Sequence, residues 1–187
     1  MILTIRVDAL LQDAVASPYR MLVTRPTGAA VRGRIQAALA ASECEAALLD
    51  FSAVELLDLS CADEVVAKLL ATDDMARRYV LLCGLCENQR EAIEHVLCNH
   101  RLAVAVVLPA APRPALLGWV TDDRRAAFDA VCSAGAPVDA AAVATALGWT
   151  AARAAEALET LAALRVIREA GGRYSPLPVP FPTNEAA

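Results

Sequence analysis

The sequence contains few aromatic side chains and almost no lysine. Phe, Trp and Tyr together make up 4% of the 187 residues, and Lys68 is the single lysine. The formal net charge at pH 7 is −5. Domains that bind nucleic acid usually carry a basic surface, and binding of single strands relies on aromatic side chains on which bases stack. The composition therefore argues against nucleic-acid binding through bulk charge or through stacking.

Long hydrophobic runs and targeting features are also missing. A transmembrane helix needs about 18 consecutive apolar residues, and no stretch of that length is free of charge. The first residues, MILTIRVDALL, lack the basic region, apolar core and cleavage site of a signal peptide. The chain has six cysteines, and without a secretory signal these are typical of reduced thiols. We therefore expect a cytoplasmic protein with no membrane partner.

The chain is rich in small apolar residues, and prolines divide it. Hydrophobic residues make up 57% of the sequence, which is enough for a packed core. The segment LPAAPRPALLGW interrupts every periodic pattern around it, and the last twelve residues, PLPVPFPTNEAA, predict an extended, polyproline-like tail. We predict a first domain over 1–108, a proline-rich linker over 109–119, a second domain over 120–177 and a proline-rich tail over 178–187.

Strand and helix patterns alternate in the first domain. The predicted strands are 2–7, 46–52, 78–84 and 102–108, of which 102–108 is expected to be the last, and the predicted helices are 30–42, 61–71 and 88–99. Continuous apolar strands that alternate with helices predict a largely parallel, buried sheet. In the helix over 61–71 the apolar residues share one face, and Glu64 and Lys68 form an i,i+4 pair on the other.

The second domain has a different pattern. It predicts helices over 121–134, 138–148 and 150–164, followed by a hairpin over 165–177. Asp139 and Thr150 are typical N-cap residues, and Gly148 suits a helix end. The pair Gly171-Gly172 suits the positive φ of a tight turn. Three helices followed by a hairpin form the winged-helix arrangement.

The segment LLDFSAVELLDLSCADEVVAKLL resembles the STAS-like domains, a group shared by anti-sigma-factor antagonists and many uncharacterised bacterial proteins. LVTRPTGAAVRGRI before it and VLLCGLCENQREAIEHVL after it follow the same order as the elements of that fold. The resemblance covers roughly residues 1–108, and residues 121–177 separately resemble a winged-helix domain. It implies an α/β fold: a STAS-like mixed, largely parallel sheet with helices, followed by a small winged-helix domain.

The resemblance also implies a function. STAS-like domains are non-enzymatic and bind partner proteins, often kinase-like ATPases, and some switch when a serine in an Asp-Ser-Ser-Gly loop is phosphorylated. The matching residues here are Asp58-Leu59-Ser60-Cys61, so a leucine stands at the position of the phosphoacceptor. The switch would therefore operate only if Ser60 had taken over that role. We expect a non-enzymatic bacterial regulatory or adaptor protein without a cofactor.

The partner surface is predicted around the start of the helix over 61–71, and includes Asp58, Ser60, Asp63 and Glu64. Ser60 followed three residues later by Asp63 approximates a capping box, so Ser60 is interpreted as the N-cap, with a regulated hydroxyl as the alternative.

Three arginines, Arg25, Arg32 and Arg34, lie in a stretch that contains no acidic residue. They form either a docking patch for an acidic or phosphorylated partner or an ordinary solvated helix face. Arg25 and Arg32 are seven residues apart, so they share a face if both are helical.

Two cysteine patterns suggest other chemistry. Cys83 and Cys86 have the spacing of a redox motif, and Cys98 and His100 would complete a set of four zinc ligands. The predicted helix over 88–99 separates the two halves of such a set by about 18 Å. We therefore interpret these cysteines as small buried apolar residues and predict no metal site.

The winged-helix resemblance raises an alternative function, a transcription regulator that binds DNA. Arg153 on the third helix, together with Arg165, Arg168 and Arg173 of the hairpin, would contact the DNA backbone. From residue 120 onward six arginines face eight acidic residues, which is a net charge of −2. Because phosphate neutralisation dominates DNA affinity, this balance disfavours strong binding by a monomer and leaves open a homodimer that combines two weak sites.

Overall fold

A computed structural model of the protein describes residues 1–72, 78–109, 111 and 113–179. The strands are β1 (Ile2–Arg6), β2 (Met21–Leu22), β3 (Ala46–Asp50), β4 (Leu56–Leu57), β5 (Tyr79–Cys83), β6 (Ala103–Val107), β7 (Ala115–Gly118), β8 (Ile167–Ala170) and β9 (Arg173–Pro176). The α-helices are α1 (Val7–Val15), α2 (Arg25–Ala40), α3 (Leu59–Ala62), α4 (Lys68–Ala71), α5 (Glu87–His100), α6 (Asp122–Ser133), α7 (Ala140–Leu147) and α8 (Ala151–Ala163).

A π-helical turn, Asp63–Ala67, joins α3 directly to α4. Residues 59–71 therefore form one continuous helix, which we call the site helix. It begins two residues before the predicted helix over 61–71. A π-helical turn is rare and often marks a functional region of a helix.

The central sheet has five strands in the order β1-β3-β5-β6-β7. Strands β1, β3, β5 and β6 run parallel, and β7 pairs antiparallel with β6. This confirms an α/β fold with a mixed, mostly parallel sheet. The expectation that the strand over 102–108 is the last one is wrong, because β7 lies within the predicted linker. Pro114 directly precedes β7, a position that an edge strand tolerates.

Three short or abutting elements escaped the sequence patterns. Helix α1 starts at Val7, the residue after β1 ends, so no turn residue marks the boundary. Strands β2 and β4 have two residues each and pair with one another in parallel. Two residues are too few for an alternating pattern to be recognised. This small sheet matters for the site because β4 leads directly into the site helix.

Both faces of the central sheet are buried. Leu49, Leu82 and Val106 pack with the helices that precede β7, whereas Leu48 and Leu81 belong to a second core with the C-terminal helices. Phe128 of α6 and Leu158 of α8, both fully buried, are part of that second core. Burial on both faces explains why the strands are continuously apolar.

The predicted elements of the C-terminal part are confirmed. Asp139 caps α7 by accepting a hydrogen bond from the Ala142 amide at 2.8 Å, and Thr150 caps α8. Gly148 ends α7 in a left-handed conformation. Gly171 and Gly172, with φ of 61° and 76°, form the turn between β8 and β9.

Some predictions fall partly outside the described residues. Of the predicted proline-rich tail over 178–187, residues 180–187 lie outside them. Among the described residues, no helix is both long enough and apolar enough to cross a membrane. All six cysteines lie in described segments and are free thiols.

Candidate functional site

The site helix is capped by Asp58. One carboxylate oxygen, Oδ1, accepts hydrogen bonds from the Cys61 amide at 2.7 Å and from Ser60 Oγ at 2.8 Å. The other, Oδ2, accepts from the Thr24 amide at 3.0 Å. The prediction that Ser60 is the N-cap is therefore wrong: the helix begins at Leu59, so Ser60 lies inside its first turn. Burial acts to raise the pKa of Asp58, but these hydrogen bonds outweigh it and lower the pKa.

Glu64 is the buried charge of the site. Its side chain is only 4% exposed, and it forms ion pairs with Arg25 at 3.0 Å, Arg32 at 3.1 Å and Lys68. The predicted pair of Glu64 with Lys68 is confirmed, but Glu64 lies beneath α2 instead of on an outer face. Burial acts to raise the pKa of Glu64, and hydrogen bonds from Lys68 and Arg25 lower it overall.

Asp63 connects three helices through its carboxylate. Arg25 of α2 donates to Oδ2 at 2.8 Å, and His100 of α5 lies 2.7 Å from Oδ1 through its Nε2. Lys68 lies 3.5 Å from Oδ2. Burial acts to raise the pKa of Asp63, but hydrogen bonds from Arg25 and His100 hold it below its ordinary value. The carboxylate is thus ionised at neutral pH and joins α2, the site helix and α5.

A glycine allows α2 and the site helix to approach this closely. A Cβ atom added at Gly28 would lie 3.0 Å from Glu64 Cβ and 3.1 Å from Cys61 Cα. The Cys61 thiol donates to the Thr24 carbonyl at 3.0 Å. Burial, with a smaller effect from the charge of Asp58, raises the pKa of Cys61 to about 12. Cys61 therefore serves as a packed, neutral side chain.

A pocket of about 400 Å³ opens between the starts of α2 and the site helix and the end of α5. It is lined by Arg25, Leu59, Ser60, Asp63, His95, Val96, Asn99 and His100. Both histidines of the chain contribute to it. Neither His95 nor Asn99 was predicted to belong to a site, although their i,i+4 spacing on one helix indicates that they share a face.

The predicted arginine patch is divided by the structure. Arg25 and Arg32 both contact Glu64, as expected for residues that share a helix face. Arg34 points elsewhere: it pairs with the Asp13 carboxylate at 3.1 Å and donates to the Asp13 carbonyl at 3.0 Å. Only the first two arginines therefore belong with the acidic residues of the site helix.

The cysteine pattern does not assemble into a reactive centre. Burial, with a smaller effect from the charge of Asp50, raises the pKa of Cys83 to about 11, which disfavours a nucleophilic thiolate. Cys86 immediately precedes α5, whereas Cys98 lies near its other end. Both are exposed, so the interpretation of the cysteines as buried apolar residues is wrong for these two. Within the described segments, no three His, Cys, Asp or Glu side chains are arranged to hold a metal ion.

Arg153 and Arg173, two of the arginines predicted to contact DNA, are engaged within the C-terminal part. Arg153 forms two hydrogen bonds with the Asp123 carboxylate, at 2.8 and 2.6 Å, and stacks over the Trp149 ring at 4.3 Å. Arg173 donates to the Pro137 carbonyl at 2.7 Å. These contacts fix side chains that a DNA-binding protein would direct toward phosphate.

The other two arginines join the C-terminal hairpin region to the central part. Arg165 donates to the Leu70 carbonyl at 2.5 Å, near the end of the site helix, and burial lowers its pKa. Arg168 donates to Glu45 at 2.9 Å and lies over the Tyr79 ring. All four predicted DNA-contacting arginines thus have partners inside the protein.

Comparison with protein-family models, curated proteins and solved structures finds no match for this chain. The STAS-like and winged-helix resemblances therefore remain predictions made from residue patterns.

Proposed function

We propose that this protein is a non-enzymatic regulatory or adaptor protein that recognises a partner protein through the surface around the start of the site helix. The observation that carries the proposal is Leu59, which is 51% exposed in the first turn of that helix. Leu56, on β4, is also exposed, at 45%. Exposed apolar side chains beside a polar, charged rim are typical of protein interaction surfaces.

The charged groups next to Leu59 favour recognition over catalysis. Both carboxylate oxygens of Asp58, Asp63 and Glu64 accept hydrogen bonds or ion pairs from neighbouring groups. All three pKa values are lowered, whereas a general acid or base usually has a pKa shifted toward neutrality. Ser60 donates its hydroxyl hydrogen bond to Asp58, which orients it without making it a nucleophile.

The STAS-like resemblance suggests what kind of partner to expect. Members of that group often bind kinase-like ATPases, and Leu59 occupies the position where the antagonists carry their phosphoacceptor. An apolar side chain there contributes buried area to a contact without needing phosphorylation. We therefore propose a protein partner, such as a kinase-like ATPase, that is bound constitutively through Leu59 and the neighbouring charges.

DNA binding is the less favoured function. Arg153, Arg165, Arg168 and Arg173 would have to give up contacts inside the protein before they reached phosphate. The second core, which joins the sheet to the C-terminal helices, instead supports a packing role for the winged-helix-like part.

In the test, a photo-reactive amino acid replaces Leu59 in the cells that express the protein, and the protein captured by crosslinking is identified. The captured protein is then purified, and its affinity is measured for the wild type and for Leu59→Glu. We expect at least a tenfold loss, about 1.4 kcal/mol, because a charge replaces an apolar contact. Val15→Glu is the matched control, since Val15 is an exposed apolar residue that does not line the pocket. Equal affinity of Leu59→Glu and the wild type would contradict the proposal.

A further inference from the structure

The pocket beside Leu59 has hydrogen-bond donors that the protein does not use. Arg25 donates through Nη1 to both Asp63 and Glu64, whereas its Nε and Nη2 donate to no atom of the described segments. Its side chain is 54% exposed, so these groups are open to a ligand. The side chains of His95 and Asn99 also line the pocket and form no hydrogen bond with the described part of the chain.

Asp63 is the acidic residue that lines the pocket, and it opposes an anion less strongly than its formal charge suggests. Both oxygens of Asp63 are occupied, one by Arg25 and one by His100. Glu64, just behind the lining residues, is paired with three cations. Among the lining residues, the formal charges of Arg25 and Asp63 cancel.

The pocket is larger than a bare oxyanion requires. Its volume of about 400 Å³ falls in the usual range of small-molecule sites. Leu59 and Val96 add an apolar wall next to the donors. A guanidinium and two imidazoles suit a group with several terminal oxygens, because each donor then meets its own acceptor.

We propose that this pocket binds a small phosphate monoester. Its phosphate contacts Arg25, His95 and His100, and its organic part packs against Leu59 and Val96. Ligand binding is a function separate from partner recognition and does not depend on it, because the proposed contacts all come from this chain. A ligand that covers Leu59 would compete with a protein partner for the same surface.

Sulfate is the first probe, because it is a dianion at pH 6, where the titration is carried out. The chain has two histidines, so its NMR spectrum contains two sets of imidazole signals, which His95→Gln and His100→Gln assign. We expect both sets to shift saturably with sulfate. If neither set of imidazole signals shifts with sulfate at pH 6, the proposal is overturned.

Three variants separate the pocket from general charge effects. Asn99→Asp adds a negative charge to the pocket without removing an ion pair, and Arg25→Gln removes the main donor. Both should weaken sulfate binding by about tenfold or more. Arg34→Gln, on the same helix but paired with Asp13, should bind like the wild type. If Arg25→Gln fails to fold, Asn99→Asp decides. Equal sulfate binding by Asn99→Asp and the wild type would overturn the assignment.

The organic part is tested with phenyl phosphate against inorganic phosphate, both at pH 8. We expect phenyl phosphate to bind about tenfold more tightly, and Leu59→Asn to remove that advantage, because the ring buries apolar area against Leu59. Equal affinities in the wild type would restrict the site to inorganic oxyanions and overturn the monoester assignment. These measurements need no partner, so their outcome is independent of the photo-crosslinking experiment.

Discussion

Replacing Glu64 by glutamine removes the buried charge that holds α2 and the site helix together. The Glu64 side chain is 4% exposed and pairs with Arg25, Arg32 and Lys68. Removing one partner of a buried ion pair typically costs about 3–5 kcal/mol, because the remaining charges lose their compensation. Here the remaining side chains of Arg32, Lys68 and Arg25 are 25%, 37% and 54% exposed, so water partly compensates them. We therefore expect a loss near the lower limit, about 3 kcal/mol in the free energy of unfolding.

The assay is urea denaturation at pH 7, and tryptophan fluorescence and circular dichroism monitor the unfolding. Glu55→Gln is the matched control, because Glu55 is 66% exposed and its carboxylate lies 4.0 Å from Arg20. An exposed pair of this kind contributes little, so the control should stay within about 0.5 kcal/mol of the wild type. A loss for Glu64→Gln no larger than for the control would refute the assignment of Glu64 as a buried structural charge.

The pH dependence of the stability difference between the wild type and Glu64→Gln provides a second test. The folded-state pKa of Glu64 is lowered, so its stabilisation is present above the unfolded value of about 4.3 and disappears as the pH falls through the folded value. The difference between wild type and Glu64→Gln should therefore remain constant from pH 7 to about 5 and shrink below about pH 4. A difference that persists undiminished at pH 2 would show that the effect is not electrostatic.

Three further predictions concern the same helices. Gly28→Ala should destabilise the protein by about 1–3 kcal/mol, since the new Cβ would lie 3.0 Å from Glu64 Cβ. Gly33 lies on the same helix, and a Cβ added there meets nothing within 4 Å, so Gly33→Ala should stabilise the protein by about 0.5–1 kcal/mol. Thermal melting compares the two, and equal melting temperatures would argue against close packing at Gly28. Asp58→Ala should cost about 1–2 kcal/mol and Ser60→Ala clearly less, because Asp58 is the cap; the reverse order in urea denaturation would return the cap to Ser60. The Cys61 thiol, with its pKa raised to about 12, should stay unmodified by a thiol reagent at pH 7.5 until the protein unfolds, as peptide mass spectrometry can determine.

Local signals were sufficient for the helices and the hairpin of the C-terminal part. The caps at Asp139 and Thr150 and the turn at Gly171-Gly172 were predicted and confirmed, because each depends on residues within a few positions of one another. The cap of the site helix was misassigned although it is equally local. Asp58 and Ser60 both suit a cap, and a carboxylate that also accepts from the distant Thr24 amide makes Asp58 the better one.

The amino-acid sequence by itself determined the α/β character, the parallel strands and the helices and hairpin of the C-terminal part, because hydrophobic periodicity and turn residues are properties of short segments. Only the tertiary structure decided that Arg25 and Arg32 meet Glu64, that His95 and His100 share a pocket with Leu59, and that β7 extends the sheet. These contacts join segments far apart in the chain. Their formation depends on how closely helices pack, as at Gly28, and no local pattern contains that information.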